Sequence, residues 1–246
     1  MTSIEILSSP PTLPSLEDLK SPKNTDPLSI TTQPSTPKSA LYAQNGNLFD
    51  LIITRKIKLD GTLTRTYFLQ ILTSLEVLHS QGKFHGDLKL ENIWLDEKFA
   101  ARIADFDTNY LLEESKVIGK ETEDYRALEV KEGCCNNPQA ADVYSLGIIL
   151  FMLKTGGNLP AYEKDTPDRK EFMNIFWRNQ CRILGHNTKF FGYDFRRLFM
   201  RMTDPNPSKR PSLREIKESV YCSKNIHSKE ELVVAMKKRL ESNVVV

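Results

Sequence analysis

The chain has 246 residues, of which 39% are hydrophobic, and a formal net charge of +2 from 34 basic and 32 acidic side chains. This length and composition suffice for one sizeable hydrophobic core and for one or two domains. The balanced charge provides no field that would attract nucleic acid or an anionic membrane, and we therefore exclude both as partners.

Cysteine spacing and the lack of targeting segments indicate the compartment. None of the four cysteines belongs to a C-x-x-C pair, so the spacing fits neither a zinc site nor a disulfide framework, and free thiols are favoured. The N-terminus lacks the basic-then-apolar pattern of a signal peptide, and no apolar run approaches the roughly 20 residues of a membrane span. We expect an intracellular protein, cytoplasmic or nuclear.

Residues 1–41 are predicted to form a disordered arm. They are rich in Ser, Thr and Pro and contain neither glycine nor an aromatic residue, so they expose too little apolar surface to offset the entropy of ordering. Three Ser/Thr-Pro dipeptides, at Ser9, Ser21 and Thr36, could accept phosphate from a proline-directed kinase or stay unmodified.

Hydrophobic periodicity predicts helices along the rest of the chain. Thr64 is the predicted N-cap of a helix that ends at Ser80, and residues 141–154 are apolar nearly all round, as in a buried central helix. Residues 195–203 and 212–221 predict two further helices, the second with a capping box formed by Ser212 and Glu215.

Three other segments differ from this pattern. Residues 93–95 and 100–104 predict a small hairpin, and residues 108–137 are polar and irregular, as in a long functional loop. The tail, 226–246, predicts an amphipathic helix with a capping box of Ser228 and Glu231. Such a helix either packs on the domain, which is the commoner outcome, or engages a partner.

The chemistry of the chain is concentrated in two short motifs, His85-Gly86-Asp87-Leu88-Lys89-Leu90-Glu91-Asn92 and Asp105-Phe106-Asp107. Phosphoryl transfer requires a carboxylate near the incoming hydroxyl, a cation near the moving phosphate, and oxygen ligands for Mg²⁺. A tight loop followed by a hairpin can present these groups at one point. In order and spacing, the two motifs resemble the H-R-D-L-x-x-x-N and D-F-G signatures of the protein kinase family.

This resemblance implies the roles of individual residues. Asp87 matches the catalytic base, Lys89 the residue that steadies the transferring phosphate, and Asn92 and Asp105 the Mg²⁺ ligands. Lys89 favours a serine/threonine kinase over a tyrosine kinase. His85 and Phe106 match structural members of the same two motifs. ATP and Mg²⁺ are the cofactors that the resemblance implies.

The resemblance extends over residues 42–221, and the predicted large-lobe domain is residues 42–225. Thr122 matches the threonine that hydrogen-bonds the catalytic pair, and Asp142 matches the residue that holds the catalytic-loop backbone. Glu129 and Arg210 match the two ends of a buried ion pair, which we therefore predict. Residues of the hinge and cleft would contact ATP, namely Tyr42, Ala43, Asn47 and Trp94.

Several features depart from the family pattern. The first glycine of the chain is Gly46, and the Pro-rich residues before the hinge cannot build a small lobe with a Gly-rich loop and a strand lysine. Gly86 replaces the Arg of H-R-D, and Asp107 replaces the Gly of D-F-G. Trp94 stands where the family places a medium aliphatic residue, and its indole could stack on adenine or fill its space.

We therefore expect a mainly α fold of the α+β kinase family: the C-terminal lobe, helical with a small β-hairpin, and no N-terminal lobe. The expected function is phosphoryl transfer from Mg-ATP to protein Ser/Thr, weak or absent in this chain alone. The alternative is a non-catalytic, pseudokinase-like binding module or scaffold. The expected partners are a protein substrate, a partner protein or a complementing lobe. A small all-α scaffold unrelated to kinases would require the motif order to be coincidence.

Overall fold

The computed structural model describes residues 44–104, 124–161 and 169–243, with side chains of the last range described from residue 174 onward. These residues form a helix-rich fold with one small antiparallel sheet. The helices are a π-helical turn at Asp50–Thr54, α1 at Gly61–Ser80, a 3-10 turn at Leu90–Asn92, α2 at Leu128–Lys131, α3 at Pro138–Thr155, α4 at Arg169–Ile183, α5 at Tyr193–Met202, a second 3-10 turn at Pro207–Lys209, α6 at Leu213–Lys217 and α7 at Lys229–Asn243. The strands are β1 at Ile93–Leu95 and β2 at Ala101–Ile103.

Helix α1 begins earlier than the periodicity predicts. The N-cap is Asp60, whose Oδ1 accepts hydrogen bonds from the backbone N–H groups of Thr62 and Leu63, each at 2.9 Å. The prediction of Thr64 as N-cap is wrong, because Thr64 is fully buried inside the helix and its own N–H donates to the carbonyl of Asp60. Asp60 lies four positions before Thr64, and its carboxylate takes the unpaired N–H groups of the first turn.

Helix α3 is the buried centre of the fold, as its apolar sequence predicts. It starts three residues before the predicted boundary, because the Asn137 side chain accepts from the Ala140 N–H and Pro138 suits the first turn. Gly156, in the left-handed conformation at φ 71°, ends it. Helix α1 packs against α3 and against the hairpin, and α5 packs on another side of α3.

The predicted hairpin is present. Strands β1 and β2 pair in antiparallel register through Ile93–Ile103, Trp94–Arg102 and Leu95–Ala101. Asp96 shapes the turn, since its Oδ1 accepts from the N–H groups of Lys98 and Ala100. On its other edge, β1 receives the segment before the π-helical turn, with the Leu95 N–H donating to the Gly46 carbonyl at 2.8 Å.

Helix α4 is a helix that sequence reasoning missed. Its buried side chains follow helical spacing at Phe176, Trp177, Gln180 and Cys181. Phe176 and Trp177 meet aromatic rings from α5 and from the segment before α5. The i, i+1, i+4, i+5 pattern was the available signal.

Two other expectations need correction. The region 108–137 is not irregular throughout, because α2 lies within it; residues 108–123 lie outside the described ranges. Helix α6 ends at Lys217 rather than continuing to residue 221, since the chain turns at Ser219, whose side chain accepts from the Cys222 N–H. The capping box of Ser212 and Glu215 is confirmed.

The C-terminal helix α7 packs on the domain, which is the commoner of the two alternatives for the tail. Ser228 and Glu231 exchange capping hydrogen bonds, and Leu232 and Met236 are buried. The helix runs to Asn243, three residues past the predicted end of the apolar stripe. Within the described ranges, no helix has the length and apolar character needed to cross a bilayer.

Candidate active site

The loop between α1 and β1 is fixed by one buried carboxylate from the central helix. Asp142 accepts from the backbone N–H of His85 at 2.7 Å and from that of Gly86 at 2.9 Å. Its Oδ2 also lies 2.9 Å from Nε2 of His79 at the end of α1. Asp142 is 2% exposed, so these three contacts form where water competes little.

The side chains of this loop converge on Asp87. Its Oδ2 lies 2.9 Å from Nζ of Lys89 and accepts from Nδ2 of Asn92 at 3.3 Å. The same Nδ2 donates to the Asp87 carbonyl at 2.9 Å, which fixes the amide orientation. The other carboxylate oxygen, Oδ1, is buried and receives no hydrogen bond from any described residue.

His85 connects this loop to the end of the hairpin. Its Nδ1 accepts from the Asp87 N–H at 3.2 Å, and Nε2 therefore donates to the carbonyl of Ala104 at 3.0 Å. The Ala104 N–H in turn donates to the Asn92 carbonyl at 2.9 Å. The residue directly before Asp105 is thus held against both ends of the Asp87–Asn92 segment.

The buried ion pair between Glu129 and Arg210 is present, as predicted. It is bidentate, with Nη1–Oε1 at 2.5 Å and Nη2–Oε2 at 2.9 Å, and both residues are 8% exposed. Arg210 also donates to the carbonyls of Ala140 and Asp204, each at 2.9 Å. The guanidinium therefore ties α2, α3 and the turn after α5 together.

The end of the segment before α2 lies beside the loop. The Tyr125 hydroxyl donates to Oε2 of Glu91 at 3.5 Å, and the Tyr125 carbonyl accepts from the Ser145 hydroxyl at 2.9 Å. Burial, reinforced by the negative charge of Glu91, raises the pKa of Tyr125. Tyr125 is therefore a neutral donor that helps to fix Glu91 next to Asn92.

The predicted ATP-contacting residues are placed in part. Asn47 pairs with Trp94 in an isolated antiparallel bridge, and the Asn47 Oδ1 accepts from the Asp50 N–H at 2.8 Å, so this side chain also caps the π-helical turn. Trp94 is half-buried between two buried neighbours of β1. The other predicted site residues lie outside the described ranges, namely Tyr42, Ala43, Asp105, Phe106 and Thr122.

His79 is the site residue that sequence reasoning missed. Its ring contacts Asp142, and Asp142 in turn holds the backbone of His85 and Gly86, so His79 helps to position the loop without touching Asp87. A lone histidine in the last turn of an amphipathic helix gives no specific signal for such a contact, because the partner is 63 positions away in the chain.

The loop just described contains the motif that resembles the protein kinase family. The protein kinase domain family matches residues 39–222, and the chain belongs to the protein kinase family. It is 32% identical over 199 residues to CBL-interacting protein kinase 2 of Oryza sativa subsp. japonica, with 76% of this chain and 41% of that protein covered. It is 33% identical over 193 residues to CBL-interacting serine/threonine-protein kinase 8 of Arabidopsis thaliana, with 75% and 40% covered. The chain thus spans about two fifths of the length of the curated relatives it matches.

Proposed function

We propose that Asp87, Lys89 and Asn92 together catalyse the transfer of the terminal phosphoryl group of ATP to a protein serine or threonine. The observation that supports this most strongly is the asymmetry of the Asp87 carboxylate. Lys89 and Asn92 hold Oδ2, whereas Oδ1 has no hydrogen-bond donor among the described residues. Although Oδ1 itself is buried, the Asp87 side chain is 33% exposed, so this oriented carboxylate is suited to accept the proton of a substrate hydroxyl.

The neighbouring side chains complete the proposed chemistry. Lys89 places a cation beside Asp87, where negative charge develops on the transferring phosphate. Asn92 uses its Nδ2 to bind Asp87, which leaves the carbonyl oxygen Oδ1 as the atom that would bind Mg²⁺ together with Asp105. An amide oxygen and a carboxylate are the ligand types that Mg²⁺ prefers, so the residues fit this cofactor. When bound, Mg²⁺ would neutralise charge on the phosphates.

The activity of this chain alone is proposed to be weak or absent. The 246 residues contain no glycine before Gly46, so they supply no glycine-rich loop to cover the ATP phosphates. A complementing lobe, on a longer form of this chain or on another polypeptide, or a scaffold protein would provide that cover.

The test is Mg-ATP-dependent phosphorylation of a basic-protein mixture by material captured from its native source together with its partners. Asp87→Asn keeps the shape of the side chain but removes the base, and we expect it to reduce activity at least 100-fold. Asp194→Asn is the matched control, because Asp194 pairs with Lys224 on the surface of α5, away from the loop. Equal activity of the Asp87→Asn variant and the wild type would refute the proposed role.

A second candidate function is a non-catalytic, pseudokinase-like binding module. Gly86 favours it, because its φ of 77° suits glycine and no cation is available at this position to bind a phosphate on a neighbouring segment. Titration calorimetry separates the two: no heat with ATP, with or without Mg²⁺, supports the binding module, and Mg²⁺-dependent binding that is lost in Asn92→Ala supports the kinase.

A further inference from the structure

Two of the four cysteines are adjacent in the chain and lie at different depths. Cys134 is exposed and Cys135 is half-buried, whereas Cys181 and Cys222 are buried. The pair lies in the loop that joins α2, which bears Glu129, to α3, which bears Asp142. No role in the proposed phosphoryl transfer involves these two thiols.

The loop is anchored on both sides of the cysteine pair. The Cys134 N–H donates to the Glu129 carbonyl at 2.9 Å, and the Cys134 thiol lies 3.8 Å from Oε2 of Glu132. After the pair, the Asn137 side chain caps α3. These contacts keep the two thiols at a fixed place on the surface rather than on a free segment.

Cys135 faces the interior beside the candidate active site. It lines a cavity of about 50 Å³ together with Gly86 of the catalytic loop and with Asp142. Burial raises the pKa of the Cys135 thiol, despite a hydrogen bond from the backbone of Asn137. A protonated, half-buried thiol is a poor first nucleophile, so the exposed Cys134 is the thiol that a small reagent meets first.

We propose that Cys134 and Cys135 form a modification site for small-molecule disulfides, of which oxidised glutathione is the representative. The Cys134 thiol loses its proton and attacks one sulfur of the reagent, which forms a mixed disulfide and releases one reduced thiol. The Cys135 thiol then loses its proton and attacks Sγ of Cys134, which releases the second reduced thiol. Two cysteine thiols are oxidised to one disulfide, and one reagent disulfide is reduced to two thiols.

Adjacency makes the second attack intramolecular and its product easy to reduce. The resolving thiol is on the next residue, but it faces the cavity whereas the Cys134 thiol lies near Glu132, so the attack follows reorientation of the peptide between them. Neighbouring Cα atoms are about 3.8 Å apart across a trans peptide, which is shorter than the roughly 4.4–6.8 Å of ordinary disulfides. The resulting bond is strained, and strained disulfides are readily reduced again by cellular thiols.

The oxidised pair would act on the candidate active site through the loop. Ring closure must reorient the peptide between the two cysteines. The Cys134 N–H donates to the Glu129 carbonyl, and Cys135 lines the same cavity as Asp142 and Gly86. Because Asp142 accepts from the Gly86 N–H, we expect this amide to exchange its hydrogen several-fold faster in the oxidised chain. Unchanged exchange at Gly86 in fully oxidised protein would overturn this coupling.

The test uses the folded chain, oxidised glutathione, alkylation of the remaining thiols, and peptide mass spectrometry. Cleavage after Lys131 and Lys154 gives a peptide, 132–154, that contains no cysteines besides Cys134 and Cys135. We expect this peptide to lose two hydrogens and to resist alkylation until a reducing agent is added. Cys181 and Cys222 should remain reduced, which also reports that the protein is folded.

Two variants test the order of attack. In Cys135→Ser the reaction should stop at one glutathione adduct on Cys134, and in Cys134→Ser the half-buried Cys135 should react at least tenfold more slowly than Cys134 does in the wild type. The proposal is overturned if wild-type protein retains both thiols, or if it accumulates the same stable adduct as Cys135→Ser without forming the disulfide.

Discussion

At the scale of single residues, Arg210 shows how one buried cation joins distant parts of the chain. Its side chain donates to Glu129 and to two backbone carbonyls, and its guanidinium carbon lies 5.1 Å from the ring centroid of Tyr144. A buried ion pair stabilises little relative to apolar residues, but removal of one partner leaves the other charge buried and uncompensated. The loss of stability is therefore large when only one partner of the pair is removed.

We predict that Arg210→Ala lowers the free energy of unfolding by about 3–5 kcal/mol, since it strands the buried Glu129 carboxylate. The measurement is urea-induced unfolding at neutral pH. Arg214→Ala is the control, because the Arg214–Glu218 pair is exposed and contributes little to stability. Similar unfolding midpoints for the two variants would contradict a stabilising role of the buried pair.

At the scale of secondary structure, the contact between α3 and α5 depends on a glycine. A Cβ at Gly147 would lie 2.9 Å from Cγ2 of Thr203 and 3.1 Å from Cβ of Met202. The two helices therefore approach more closely than a side chain at this position allows. A glycine within a buried helix, unfavourable in isolation, is explained by this packing.

We predict that Gly147→Ala lowers the free energy of unfolding by about 1–3 kcal/mol through overpacking, although alanine is the better helix former. Gly61→Ala is the matched control in α1, because its Cβ would meet only the flexible end of Arg65 at 3.5 Å. Thermal melts of both variants check this. An unchanged melting temperature for Gly147→Ala would mean that α3 and α5 can move apart without loss of stability.

Helix α6 offers a prediction that depends on pH. Hydrogen bonds from the backbone and side chain of Ser212, with a further one from Arg201, keep the pKa of Glu215 below its usual value. A lowered pKa in the folded state stabilises the fold fully above the unfolded-state pKa, about 4.3 for Glu, and this contribution is lost as the pH falls through the lower folded pKa.

We therefore expect Glu215→Ala to be less stable than wild type at neutral pH, with the difference shrinking as the pH falls below about 4. Thermal unfolding at a series of pH values measures it. Glu218→Ala, at an exposed position of the same segment, is the matched control. A stability difference between wild type and Glu215→Ala that stays constant down to acidic pH would show that the charge of the Glu215 carboxylate does not stabilise the fold.

At the scale of the whole molecule, α7 brings the C-terminal end of the chain back to the start of α1. The helix lies beyond residues 39–222, the range matched by the protein kinase family. Arg239 pairs with Asp60 at 2.7 Å, and the Asn243 amide donates to the Arg55 carbonyl at 2.5 Å. The tail thus covers the start of α1 and the end of the π-helical turn.

We predict that Met236→Ala lowers the free energy of unfolding by about 2–5 kcal/mol, because the Met236 side chain of α7 is fully buried against the domain. Val234→Ala, two positions away and 68% exposed, should change it by no more than about 0.5 kcal/mol. Urea unfolding of both variants compares the buried and the exposed face of α7. If the two variants unfold at the same midpoint, α7 is not part of the cooperative fold.

The features that the sequence by itself determined are short in range. The capping boxes join residues three positions apart, the hairpin joins strands separated by one turn, and the order of the loop motifs indicates the kinase family. Each depends on hydrogen bonds or side-chain spacing within a few residues, so a pattern along the chain contains the information. The Glu129–Arg210 pair, 81 positions apart, was predicted through the family resemblance rather than through spacing.

Only the tertiary structure decided the contacts that join distant segments. Asp60 and Thr64 both suit an N-cap, and packing buries the second. The support of Asp142 by His79, the packing of α4 through Trp177, and the docking of α7 likewise depend on partners far away in sequence. The physical reason is that burial and ion pairing stabilise contacts between surfaces, and a linear pattern shows which residues are apolar or charged but not which surface they meet.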